Sequence, residues 1–245
     1  MTYLNLHFFH ITRIDFLYFA VHPKSSVRSI EPAGSKVITS VFLFLIKFTF
    51  SVLIASLIGI FYEPQNLTDQ SMSERFSPLV YIAVGGMILP FFEEILFRLS
   101  LVFKSIYISL SLACGTYYLL TKVVFGSKLS LVDDTFLIRV GVGLAVGLIS
   151  FLIFRNSLIK QFLSEFWKNN FKWIYYVSAV IFAWLHVFNF ELSLLNLLLM
   201  PILTLPQLFS GLISGYLRIR FGFIYPLLLH VGTNTLLIGL SLLVE

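Results

Sequence analysis

The chain has 245 residues, 58% of them apolar and 12% charged, with a mean hydropathy of +0.92. Soluble domains carry about a quarter charged residues, so there is too little polar surface here to cover a soluble core. The net charge of +5 is spread over loops rather than gathered on one face, which excludes a nucleic-acid footprint, and the single Cys114 excludes an internal disulfide or a cysteine zinc site.

Residues 1–36 form an arm with His7, His10, Arg13, Lys24 and Arg28 set among aromatics and no sustained apolar run. It lacks the apolar core and small-residue cleavage site of a secretory signal. Its stretch from Tyr3 to Val21 is expected to be a basic, aromatic helix at the membrane surface. From residue 37 to 245 the pattern predicts an all-α, polytopic transmembrane bundle, because apolar runs approach the ~20 residues that cross a bilayer. Seven spans are expected: Val37–Phe61, Leu79–Leu101, Ser105–Leu120, Phe136–Phe154, Trp173–Phe188, Leu194–Leu217 and Phe223–Val244. Six or eight also fit, since the second and third nearly touch and 188–194 reads equally as re-entrant. Pro201 and Pro206 should distort the sixth span and Pro226 the start of the seventh.

Lys and Arg set the orientation. Arg13, Lys24, Arg28 and Lys36 precede the first span, Arg155, Lys160, Lys168 and Lys172 follow the fourth, and Arg218 and Arg220 follow the sixth. The 62–78 loop carries Glu63, Asp69 and Glu74 against Arg75. The positive-inside rule then predicts a cytoplasmic N-terminus and an external C-terminus.

Glu93, Glu94, His186 and His230 stand inside these apolar runs. Ionisable groups at membrane depth are costly and mark functional sites, and two carboxylates with two imidazoles are suited to activating water. At ~1.5 Å per residue, Glu93 lies about 16 Å from Lys104, His186 about 21 Å from Lys172 and His230 about 15 Å from Arg220. Three separate helices thus bring polar groups to a similar depth, and one shared cavity on the cytoplasmic side is expected. Glu94 and Arg98 are four apart, share a face and can pair. Glu93, rotated ~100° from Glu94, is the expected free carboxylate. His230 and Asn234 share a face, and Phe182, one turn before His186, is placed to wall the site. Gly143 with Gly147 and Gly211 with Gly215 have the spacing of close helix contacts within the chain. Lys47, midway along the first span, matches no motif.

Glu93-Glu94-x-x-x-Arg98, Phe182-x-x-x-His186 and His230-x-x-x-Asn234, in that order on separate apolar helices, resemble the CAAX-protease and bacteriocin-processing family (the Abi, or type II CAAX prenyl endopeptidase, group). The resemblance covers about 81–240, with Pro90 before the first motif and GYLRIRFG before the third. Leu99 departs from it, standing where many members have glycine. The resemblance implies a multi-pass protein of the bacterial cytoplasmic membrane. It also implies a cavity open to the cytoplasm and endoproteolysis of a membrane-associated peptide or protein, prenylated or bacteriocin-like. In those terms Glu93 and His186 activate water, His230 and Asn234 hold the oxyanion, and Glu94, Arg98 and Phe182 support them. Cofactor use is left open by the residues. Glu93, His186 and His230 are the set that would hold zinc, and a metal-free glutamate mechanism is preferred because the chain has no HExxH. The rival readings are a non-catalytic immunity or scaffold protein of the same fold and a proton-coupled carrier, the latter disfavoured because no second half repeats the motifs. Lipid and a peptide substrate are the expected partners; the sequence leaves oligomeric state open.

Overall fold

The computed structural model describes residues 6–25, 28–62 and 64–243, with side chains from Phe9 onward. Tyr3, Glu63 and Val244, which entered the expected boundaries and loop charge, lie outside the described residues. Every regular element described is helical. Six helical stretches are long and apolar enough to cross a membrane: Ala33–Phe61, Pro78–Leu101, Phe136–Phe154, Phe171–Asn189, Leu194–Arg220 and Ile224–Ser241. They match six of the seven expected spans closely. The remaining one, the third, at 105–120, is also helical: α6 (Ser105–Leu119) runs on through a π-helical turn, Leu120–Val124. It is more polar than the rest, and its Ser111 hydroxyl is satisfied inside the bundle by donating to Ile95 O at 2.8 Å.

Before the first span, α1 (Leu6–Val21) is helical as expected, but it is not confined to the membrane surface. Phe16 and Phe19 are buried with Tyr175, Tyr216 and Leu217, and Asp15 Oδ2 meets Arg220 Nη2 and the Tyr216 hydroxyl, each at 2.6 Å. Aromatic packing and a partly shielded ion pair thus tie the arm to the bundle. It docks on α11 (Leu205–Arg220) beside α2 (Ala33–Phe61).

Between the spans, α3 (Leu67–Arg75) is started by the Asn66 side chain, which accepts from Asp69 N. The span that follows is composite: α4 (Pro78–Tyr81), a π-helical turn Ile82–Ile88, α5 (Leu89–Arg98) and a short 3₁₀ turn to Leu101. Pro90 explains the irregularity, because it has no N–H for the carbonyl of Gly86 four residues earlier. The Gly86 and Gly85 carbonyls instead take long contacts of 3.4 Å from Thr235 Oγ1 and Asn234 Nδ2. Those glycines let α12 (Ile224–Ser241) come close: a Cβ on Gly86 would sit 2.7 Å from Thr235 Oγ1.

The glycine pairs are used inside the chain. A Cβ on Gly147 of α7 (Phe136–Phe154) would lie 2.9 Å from Ala113 Cβ, and one on Gly215 2.6 Å from the Tyr175 ring. The segment after α7 folds as α8 (Ser157–Asn169), capped by the Asn156 side chain. Leu158, Phe162 and Phe166 are exposed on it, while the Trp167 indole donates to Ser100 O at 2.7 Å. An amphipathic helix held between two spans suits the membrane interface. Next, α9 (Phe171–Leu185) continues through a 3₁₀ turn to Asn189. The sixth span breaks at Thr204 into α10 (Leu194–Leu203) and α11, where Pro206 cannot donate and Thr204 Oγ1 bonds Met200 O at 2.8 Å.

Contacts between connecting segments define two ends of the bundle. At one, Ser29 N bonds Arg220 O, Arg218 Nε bonds Arg98 O and Ser105 Oγ bonds Phe154 O. At the other, Arg75 bonds Ser130, Lys128 bonds Ser71, Tyr81 bonds Asp69 and Tyr62 bonds Asn196. The first end is the basic one.

Candidate functional site

The three motifs converge. Phe97 of α5 and Phe182 of α9 meet edge to face with ring centroids 5.4 Å apart. One helical turn further along each helix stand Glu93 and His186, so the two approach at one level of the bundle. Phe182 walls the site as expected: its ring lies 4.8 Å from that of His186 and 5.8 Å from that of His230, and the Arg98 guanidinium carbon lies 4.1 Å from its centroid. A cation over an aromatic face gains electrostatic attraction without a hydrogen bond.

Glu94 and Arg98 pair at 3.6 Å, both essentially fully buried. Glu94 has a second partner that helical spacing did not reveal: its Oε1 lies 3.0 Å from His230 Nδ1. A carboxylate only accepts, so this contact assigns the His230 proton to Nδ1 and leaves Nε2 facing away. His230 Nε2 stands 3.7 Å from Glu93 Oε2. The two adjacent glutamates therefore address the same imidazole from two sides, rather than pointing to separate places.

His186 is oriented by its own helix. Its Nδ1 donates to Phe182 O at 2.7 Å, which again leaves Nε2 without a helical partner. No ion pair or hydrogen bond joins His186 directly to Glu93, although both line the same cavities. Asn234 faces the second cavity, with one amide proton directed to Gly85 O.

Two adjoining cavities meet at these residues. One of about 500 Å³ is lined by Glu93, Phe182 and His186 together with α3, the 126–130 loop and residues 188–192. The other, of about 310 Å³, adds His230, Asn234, Thr233 and Lys47. Thr68 and Met72 of α3 border both, so this short helix roofs the site. Lys47, unexplained by any motif, is here: it is 5% exposed and donates to Thr233 Oγ1 at 2.8 Å. The Thr233 hydroxyl in turn donates to Leu229 O at 2.7 Å. A charge in mid-span was its visible signal, but the sequence named no partner.

The cavity walls come from the end opposite the basic one. None of their residues belongs to 1–32, 99–108, 152–176 or 214–224. A cytoplasmic N-terminus and a cytoplasmic cavity mouth were both expected, and this placement makes them incompatible. Counting residues from basic markers gave depth along each helix but not the direction of access.

Glu93, His186 and His230 are the set that a metal would use. Among the described residues no group of three His, Cys, Asp or Glu side chains is disposed to hold a metal ion. Glu93, His186 and His230 share walls without converging as a set of three.

Compared with protein-family models, characterised proteins and solved structures, the chain matches none.

Proposed function

We propose that this chain is an intramembrane endopeptidase of the CAAX-protease and bacteriocin-processing type, with Glu93 as the base. The observation that carries the reading is the arrangement of Glu93 and Glu94 about His230, beside His186, in a cavity large enough for a peptide segment. Glu93 takes a proton from a water that His186 Nε2 helps to orient, and the hydroxide adds to the scissile carbonyl. The negative oxygen that forms is held by the free amide proton of Asn234, while Glu94 fixes the His230 imidazole beside it through Nδ1. Proton return from Glu93 to the amide nitrogen expels the amine and restores the carboxylate. Lone pairs, protons and charge are balanced by the chain's own residues, with no step through a metal.

The reading is tested by comparing the termini of membrane and surface proteins from cells carrying the wild-type chain with those carrying Glu93→Gln. New termini that depend on Glu93 support it. Identical sets of termini, with both proteins inserted and equally abundant, would replace it with the non-catalytic immunity or scaffold reading.

A further inference from the structure

We infer that the cavity is entered from outside the cytoplasm, so that the peptide it receives is an exported or surface-exposed segment and not a prenylated cytoplasmic chain end. That a peptide is what enters rests on the proteolytic reading; the side of entry does not.

Two independent observations combine. The first is the distribution of cations between the ends that the loop contacts define. One end carries Arg13, Lys24, Arg28 and Lys36 before the first span, Lys104, the four cations around α8, and Arg218 and Arg220. The opposite end carries Arg75, Lys122 and Lys128, while Arg139 there is buried and paired with Asp133 at 2.8 Å. Glu74, Asp133, Asp134 and Glu191 share that end. Short loops with excess Lys and Arg stay in the cytoplasm, so an eleven-to-four division strongly favours a cytoplasmic basic end.

The second observation is where the cavity meets solvent. Its accessible margin includes Leu67, 41% exposed, and Leu192, 56% exposed, both at the cation-poor end. Toward the basic end the floor is closed by Phe97, Phe182 and Arg98, all buried. Beyond them the Arg218 side chain bonds Arg98 O, and Phe171, Tyr175, Tyr216 and Leu217 pack together with α1. A peptide coming from the cytoplasm would have to part this aromatic layer, whereas from the other side it meets only α3 and two short loops.

Impermeant-thiol labelling tests the inference without any need for cleavage. In a Cys114→Ser background, Leu192→Cys marks the mouth and Ser164→Cys marks α8 at the basic end. An impermeant maleimide added to intact cells should label position 192 and spare position 164 until the membrane is permeabilised. Labelling of 164 alone, or of both positions in intact cells, overturns the inference. Gln65→Cys, at the same end as Leu192, serves if the Leu192 variant does not accumulate, and is read by the same rule. A mouth labelled from outside in a protein that leaves all termini unchanged would keep the side of entry and remove the protease, so the two failures are distinct.

Discussion

Glu94 holds His230 and Arg98 at once: one carboxylate oxygen lies 3.0 Å from the imidazole Nδ1 and 3.6 Å from the guanidinium Nε. Glu93, its neighbour, has only the 3.7 Å approach to the far side of the same imidazole. Adjacent identical residues thus have different obligations, which separates their expected mutant behaviour.

Glu93→Gln keeps the size of the side chain and removes the base. It should lower cleavage by about 10²–10⁴-fold, the usual contribution of a general base, with thermal unfolding in detergent little changed. His186→Ala should likewise abolish the new termini while the protein still inserts. A well-inserted Glu93→Gln protein with normal cleavage would sink the mechanism.

Glu94→Gln should impair both folding and activity. Removing one partner of a buried ion pair typically costs ~3–5 kcal/mol, and here it also replaces the charged acceptor of His230 Nδ1 with a neutral amide. The expected result is a lower unfolding temperature and residual activity that does not recover when the protein is stabilised by lipid. A stable, fully active Glu94→Gln variant would show that the negative charge between His230 and Arg98 is dispensable.

Lys47→Met retains the apolar stem and deletes the ammonium. Thr233 then loses a donor one residue from Asn234, and Glu94 loses a nearby positive charge. Activity should fall at least tenfold while insertion persists, measured on matched amounts of protein in nanodiscs. Wild-type turnover would confine Lys47 to packing.

Asp133 gives a prediction in pH. Hydrogen bonds from the Ser127 and Thr135 side chains, aided by Thr135 N and Arg139, hold its carboxyl below the usual range. A depressed carboxyl stabilises the fold above its unfolded pKa of ~3.9. That contribution is lost as pH falls from there through the lower folded value. The unfolding temperature of the wild type should therefore drop on acidification below about pH 4 more steeply than that of Asp133→Asn. Parallel curves for the two proteins would contradict this.

Apolar runs made the spans legible, and the 3.6-residue period made the Glu94–Arg98 and Phe182–His186 relations legible, because each lies within one helix. The Glu94–His230 and Lys47–Thr233 contacts were not, since they join residues 136 and 186 positions apart. Their geometry depends on how α12 sits against α5 and α2, which no local pattern encodes. Gly85 and Gly86 carry part of that information, yet a glycine in an apolar run does not announce which helix will approach it. Loop charge indicated an orientation, while the side on which the helices splay apart came only from their packing.

The π-helical turn at Ile82–Ile88 works like a spacer in a shaft. Its wider winding sets the rotational phase between Pro78, where the span begins beside α3, and Glu93 and Glu94. Were the same seven residues to rewind as an α-helix, each would turn by ~100° rather than by the smaller π-helical step, and the two halves would rotate relative to each other by roughly a third of a turn. The roof would remain on one half and the acid pair on the other, no longer facing the same gap. Every side chain of the site would survive such a rewinding, but the site would be taken apart.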